Sequence, residues 1–235
     1  MQDRIKHAKA YPFAIPPSSY LFEDGRVSAL DAAVIDRRRL VPVLAAGSNQ
    51  SPAQLARKYD GLRATIPAER GTLHDFDTVY AAKLARYGSV PATFQAAPGC
   101  ATTVFVLWLD ALSLARMHET EALYSFDHLT GIRVTLDDGA GSLSEAFAYS
   151  SRVGCLNLAG SCVALAEIAA RDRRLMALDQ PAIQTVLRDR LAPGLSLDAF
   201  IAGHLGDEEL RRRYAGLLAE DALALDFPRR MLREL

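Results

Sequence analysis

Glu121 stands where its chemistry would count. From Asp110 the sequence DALSLARMHETEALYSF reads as a helix with Asp110 as N-cap, and Ala111, Leu114, Met117, His118 and Glu121 fall on one stripe at i, i+3, i+4, i+7 spacing. Glu121 therefore points to the core side with Leu114 and Met117, while Glu119 is rotated about 200° away and faces water. A carboxylate facing a core is costly unless paired, and useful if its proton affinity is raised towards neutrality. The residue is thus either a structural, hydrogen-bonded glutamate or a general acid and base.

The second chemical stretch is Leu40 to Tyr59, LVPVLAAGSNQSPAQLARKY. An apolar run suited to a buried strand stops at Gly47, Ser48 and Asn49, and a helix begins at Ser51 with Pro52 in its first position. Gly47 allows backbone angles closed to other residues. Free N–H groups at a helix start, with the positive dipole end behind them, can hold a carboxylate or a developing oxyanion. The same pattern also serves as a plain strand-to-helix connection.

Other chemistries lack their residues. HETE at His118 has no second histidine at i+4, there is no CxxC, and His7, His74, His118, His128 and His204 are scattered, so no metal site is expected. No GxSxG elbow, Walker loop or dinucleotide fingerprint occurs. Cys155, beside Gly154, is a candidate nucleophile with no histidine indicated as its partner. With 27 basic and 28 acidic residues the net charge is −1, which provides no global field for nucleic acid or anionic lipid and suits a small neutral or zwitterionic ligand. Cys100, Cys155 and Cys162 are an odd count in a long chain; they read as apolar fillers in a reducing compartment. The start lacks an apolar stretch of signal length and no segment runs eighteen apolar residues without charge, so a cytoplasmic protein without membrane contact is expected.

The elements that must position these residues divide into three parts. Residues 1–38, with Pro12, Pro16, Pro17 and Gly25, read as an irregular packing arm followed by a short helix in SALDAAVIDRRR. Residues 39–150 hold short β-like runs at Thr65–Leu73, Thr78–Leu84, Thr103–Leu109, Ile132–Leu136 and Glu145–Ser150, spaced as in a small barrel. Turn signals separate them at His74–Asp77, Pro98–Gly99 and Asp137–Gly141, and RYGSVPATFQAAPG is a pocket wall or a crossover loop. Residues 151–235 read as helical from about 156, with Ser196 and Asp207 as caps; this extension either packs against the barrel or mediates self-association as a homodimer.

Taken in order, these pieces resemble the γ-glutamyl cyclotransferase-like family. A strand ends in AAGSN where the family has YGSN, GSVPAT stands where it has a glycine and Pro-Ala segment, and MHETEALY follows where it has L-D-x-x-E and then tyrosine. The resemblance covers about Leu40 to Ser150. It implies an α+β fold, a small mixed β-barrel with surrounding helices, to which the helical C-terminal extension is added. It also implies a cofactor-free reaction in which the α-amino group of a γ-glutamyl compound attacks its own γ-carbonyl, giving 5-oxoproline and a free amine or amino acid. Glu121 matches the catalytic glutamate, Gly47, Ser48, Asn49 and Gln50 match the substrate loop, and Tyr124 is a candidate orienting hydroxyl. Ala46 replaces the loop tyrosine, which would widen the site unless another aromatic such as Tyr87 compensates, and Met117 and His118 replace a Leu-Asp pair. The alternative is a non-catalytic member that binds a metabolite or recruits a protein through its last residues. A pocket placing Glu121 before the Ser48 and Asn49 amides would favour catalysis; a buried salt bridge on Glu121 would favour structure.

Overall fold

The computed structural model describes residues 1–31 and 35–235, with Asp138 described through its backbone alone. In chain order the elements are α1 (Gln2–Lys9), β1 (Tyr20–Glu23), β2 (Arg26–Ala29), β3 (Val41–Ala45), α2 (Pro52–Lys58), β4 (Thr65–Tyr80), β5 (Ala92–Leu109), α3 (Ala111–Thr120), β6 (Tyr124–Leu136) and β7 (Ser142–Ser151). The short strands β8 (Asn157–Leu158), β9 (Ser161–Cys162), β10 (Ala164–Leu165), β11 (Ala170–Arg171) and β12 (Ala177–Leu178) follow. The chain closes with α4 (Gln180–Leu191), α5 (Leu197–Gly206), α6 (Glu208–Ala219) and β13 (Arg230–Glu234).

Five strands form a closed barrel in the order β5-β3-β7-β6-β4, with β4 returning to β5. Its pairs are antiparallel except β3 with β7, where Val43 lies beside Phe147 and Leu44 beside Ala148. Closure removes the open edges that an isolated sheet would leave. Both strand faces are buried, which is why TVFVLWL reads as a nearly continuous apolar run. Leu44, Val104, Val106, Trp108, Val134 and Leu136 pack in one cluster. The alternating set Val43, Ala45, Phe105, Leu107 and Leu109 packs against Leu55 and Tyr59 around α2 and Met117 of α3. A third cluster joins α1 and α4–α6 to Tyr80, Val90 and Ala92.

The fold is α+β, as expected, but several elements differ from the sequence reading. The arm begins with helix α1, and the helix expected in SALDAAVIDRRR is absent from its described residues. Arg26–Ala29 pairs with β1 through a hairpin at Asp24 and Gly25 (φ 47° and 81°), and Arg37–Arg39 is one 3₁₀ turn; residues 32–34 lie outside the described residues. The turn at His74–Asp77 is an irregularity inside one long strand, with Asp75 at φ 62° absorbing the register shift, and Pro98–Gly99 lies within β5.

The segment after Leu156 is not helical until Gln180. Despite its helical spacing, Ala164 pairs with Val79 of β4 and Ala170 with Thr102 of β5, so barrel-edge hydrogen bonds outweigh local propensity. The three helices beyond it are capped by Asp179, Ser196 and Asp207, whose side chains accept from Ala182, Ala199 and Leu210 N–H. Cys155 and Cys162 form a disulfide and Cys100 is free and buried, which corrects the view of all three as apolar fillers and removes the cysteine argument for a reducing compartment. No helix among the described residues is long and apolar enough to cross a membrane.

Candidate functional site

Asp110 accepts from Ser113 N–H at 2.7 Å and starts α3 as the sequence predicts, but the helix ends at Thr120 and Glu121 is its C-cap. Leu123, at φ 70°, turns the chain into β6, so Tyr124 is the first residue of a strand and not part of the helix. Glu121 is nonetheless inward, at 8% exposure, and Glu119 is exposed.

Gly47 sits between β3 and a 3₁₀ turn over Ser48–Gln50, and α2 follows from Pro52. Its φ is −142°, so space and not a left-handed backbone demands glycine here. A Cβ would fall 2.0 Å from Tyr11 Oη. The free helix-start amides expected at this junction are largely used within it. Gln50 N–H donates to the Gly47 carbonyl at 3.0 Å and Ser51 N–H to Ser48 at 2.9 Å, while the Ser51 side chain caps nothing.

Glu121 and this loop meet, 72 residues apart, through Asn49 Nδ2, which donates to Glu121 Oε1 at 2.9 Å. Lys58, the last residue of α2, donates its ammonium to the same oxygen. Both contacts fall on Oε1, and Oε2 takes neither; a buried salt bridge on Glu121 is the arrangement expected of a structural glutamate. Lys58 and Glu121 are each 8% exposed, so their charges offset one another where water screens them little. A second lysine, Lys83, is 5% exposed, donates to the Ala122 carbonyl at 3.3 Å and lies 3.3 Å above the Tyr124 ring centroid. Burial, reinforced by the neighbouring Lys58 charge and opposed by Glu121, brings its pKa down to about 7.

Ala46 does not leave an open space. Tyr11, from the turn after α1, packs into the cluster that Ala46 borders, and its Oη accepts from Ala92 N–H at 2.8 Å and faces Ser48 N–H. Tyr87 stacks near Tyr11, with ring centroids 6.4 Å apart, and its hydroxyl faces the Ser48 side chain. Burial pushes the Tyr87 pKa up to about 12 and raises those of Tyr11 and Tyr124 further. Tyr124 donates to the Ala92 carbonyl at 2.9 Å, so Ala92 at the end of GSVPAT is held by two tyrosines. GSVPAT itself is a buried wall: Gly88 O accepts from Gln184 Nε2 at 2.9 Å, and Ser89 Oγ donates to Ala8 O at 2.8 Å. His118 contacts Tyr149 at 2.9 Å, away from the Glu121 carboxylate's own bonds.

Along the loop and the start of α2 five buried polar side-chain atoms have no protein partner: Asn49 Oδ1, both ends of the Gln50 amide, Ser51 Oγ and Gln54 Oε1. Gln50 and Ser51 are fully buried. Each such atom costs on the order of 1–3 kcal/mol if left without a partner. Tyr87 also lines a cleft of about 590 Å³, which Glu121 does not reach.

The structure thus brings Glu121, Ser48, Asn49 and Tyr124 together around Gly47, keeps Ala46 beside them, and uses the Gln50 carbonyl to accept from Tyr20 at 3.0 Å. Lys58, Lys83 and Tyr11 were missed. Lys58 follows Gln54 and Leu55 at helical spacing on the buried face of α2, and Lys83 interrupts the apolar run Ala81–Leu84; both were legible as inward lysines. Nothing in the sequence points Tyr11 at Gly47.

No protein-family model and no curated protein matches this chain. Among solved structures it is similar to the crystal structure of an uncharacterized protein, loc79017, from Homo sapiens. The two share 14% identity over 82% of this chain and 94% of that one, with a TM-score of 0.37.

Proposed function

We propose that the chain is a γ-glutamyl cyclotransferase-type enzyme that converts a small γ-glutamyl compound to 5-oxoproline and a free amine or amino acid. The observation that carries this reading is the anchoring of an inward Glu121 through one oxygen by Asn49 of the Gly47 loop and by Lys58, while Oε2 takes neither bond. In this mechanism Oε2 takes a proton from the substrate's α-ammonium, and the freed amine attacks the γ-carbonyl carbon. Glu121 returns this proton to the departing nitrogen as the C–N bond to the leaving group breaks, and takes the second proton that the attacking nitrogen must lose; that proton leaves with the released amine as its ammonium. Asn49 and Lys58 fix the carboxylate so that only one oxygen exchanges protons. Closure is intramolecular, so holding the substrate folded supplies much of the rate. Tyr11, seated against Gly47 in the cluster that Ala46 borders, supplies the aromatic bulk that the loop itself lacks.

A second reading rests on a different observation. The Tyr11 hydroxyl oxygen sits before the Ala92 and Ser48 N–H groups, and Lys58 neutralises Glu121, as in a protein that binds a metabolite without turning it over. One experiment separates the two. Purified protein is incubated with γ-glutamyl amines, amino acids and peptides, and 5-oxoproline is measured for wild type and Glu121→Gln. Turnover by wild type with a loss of about 10²–10⁴-fold in the variant supports catalysis. Ligand binding without any 5-oxoproline supports the second reading and sinks the first.

A further inference from the structure

Tyr87 has two sides of interest. Its hydroxyl faces Ser48, and its ring lines the cleft of about 590 Å³ between α1, α2 and α5. Three guanidinium groups, Arg4, Arg57 and Arg86, border that cleft together with one carboxylate, Asp3. Some arginines of the fold are paired with buried acids, Arg37 with Glu69 at 2.6 Å, Arg173 with Asp77 at 2.8 Å and Arg229 with Asp127 at 3.1 Å, while others stand singly on the surface; what sets the cleft apart is three of them around one concave space. The cleft arginines have no such partner among the described residues. Arg4 donates to the Leu205 carbonyl at 3.2 Å, Arg57 contacts His7 Nε2, and the Arg86 side chain makes no hydrogen bond among the described residues.

Three arginines against one aspartate leave a formal charge of +2 in one concave space. His7 adds nothing to it, because its ring nitrogen faces the Arg57 guanidinium and burial disfavours its cationic form. Guanidinium forks match carboxylate and phosphate oxygens, and Leu205 and the Tyr87 ring supply an apolar wall. The volume suits a small molecule, and the chain's net charge of −1 supplies no wider field to hold a polyanionic strand.

We propose that this cleft is a binding site for a small organic dianion, whose carboxylate or phosphate groups are held by Arg4, Arg57 and Arg86. The site is separate from Glu121, and its occupancy does not depend on any turnover there. A ligand in it lies against Tyr87 and so one side chain away from Ser48.

The test is calorimetric titration of the full chain at low salt and pH 7.5 with succinate, methyl phosphate, the neutral diamide of succinate and a short oligoribonucleotide. Succinate or methyl phosphate binds with a Kd below about 1 mM, weakens as salt is raised, and the diamide does not bind. The two arms distinguish a carboxylate from a phosphate ligand. Arg86→Ala, an exposed change at a residue with no internal partner, weakens binding about tenfold or more, and Arg86→Lys by less. Asp3→Asn tightens it several-fold, a gain that damage to the fold would not give. The proposal is overturned if neither dianion binds below about 10 mM. It is also overturned if Arg86→Ala and Asp3→Asn leave the affinity unchanged, or if the oligoribonucleotide binds more tightly than both dianions.

Discussion

Replacing Lys58 by Met tests the heart of the site. Lys58 and Glu121 lie in a region where about nine-tenths of each side chain is removed from water. At an effective dielectric of about 20, opposite charges roughly 4 Å apart attract by about 4 kcal/mol. Lys58→Met leaves the Glu121 carboxylate buried with the Asn49 amide as its hydrogen-bond partner and the Lys83 charge nearby, and breaking one side of a buried pair costs about 3–5 kcal/mol. The methionine itself is well received, since Lys58 Nζ already contacts Met117 Sδ at 3.3 Å. Glu121→Gln alone strands the Lys58 ammonium and costs a similar amount. The double variant removes both charges, keeps the Asn49 contact through the new amide, and is expected to lose only about 1 kcal/mol. Urea unfolding at pH 7.5, followed by circular dichroism, gives the four stabilities of the cycle. A coupling of at least about 2 kcal/mol is expected; single costs that add to within about 0.5 kcal/mol would refute the pairing and the anchoring of Glu121 that depends on it.

Lys83→Met should stabilise the protein most at and below neutral pH. With its pKa lowered from 10.5 to about 7 in the fold, the unfolded chain binds the extra proton between those values. The penalty is therefore full below about pH 7 and fades as pH rises towards 10.5. Its ceiling is roughly 5 kcal/mol at 1.36 kcal/mol per pH unit, and a measured gain of about 1–3 kcal/mol at pH 7, shrinking by pH 9.5, is expected from urea melts. A gain that is flat across this range would contradict the buried ammonium. Gly47→Ala drives a methyl into Tyr11 Oη and should cost about 1–3 kcal/mol, part of which Tyr11→Phe restores in the double variant; a neutral Gly47→Ala would mean that Tyr11 is not seated there.

The barrel was legible because its signals are local and repeated. TVFVLWL, the Gly47 punctuation and the Asp110 cap each specify an element within a few residues. What could not be read was decided by distant partners. The segment from Ser161 to Leu178 carries a helical pattern, yet β4 and β5 offer unfilled hydrogen bonds that it takes instead. Glu121 shows both sides. Its inward direction followed from spacing with Met117, but its place at the helix end depends on the turn at Leu123, and its partner Lys58 lies in another helix. Tyr11 is a contact across the chain that no periodicity encodes. The Cys155–Cys162 pair is seven residues apart in sequence, and an odd cysteine count argued the wrong way because the third thiol is simply buried.

The strand β13 lies against the beginning of β6, where Met231 is opposite Asp127 and Glu234 opposite Ser125. Leu235 N–H donates to Tyr124 O at 3.0 Å, and Leu123 N–H donates to Leu235 O at 3.1 Å. The residues that turn the chain from Glu121 into Tyr124 are thus clasped by its far end, after β7 and all of α4–α6 have intervened. During synthesis the barrel strands leave the ribosome long before this clasp does. The nascent chain must wait, with its Glu121 turn unbraced, for the slow long-range pairing that completes it. Ribosome-bound chains halted before Arg230 would then carry a formed barrel and a loose Tyr124, a difference that protease nicking of arrested chains can reveal.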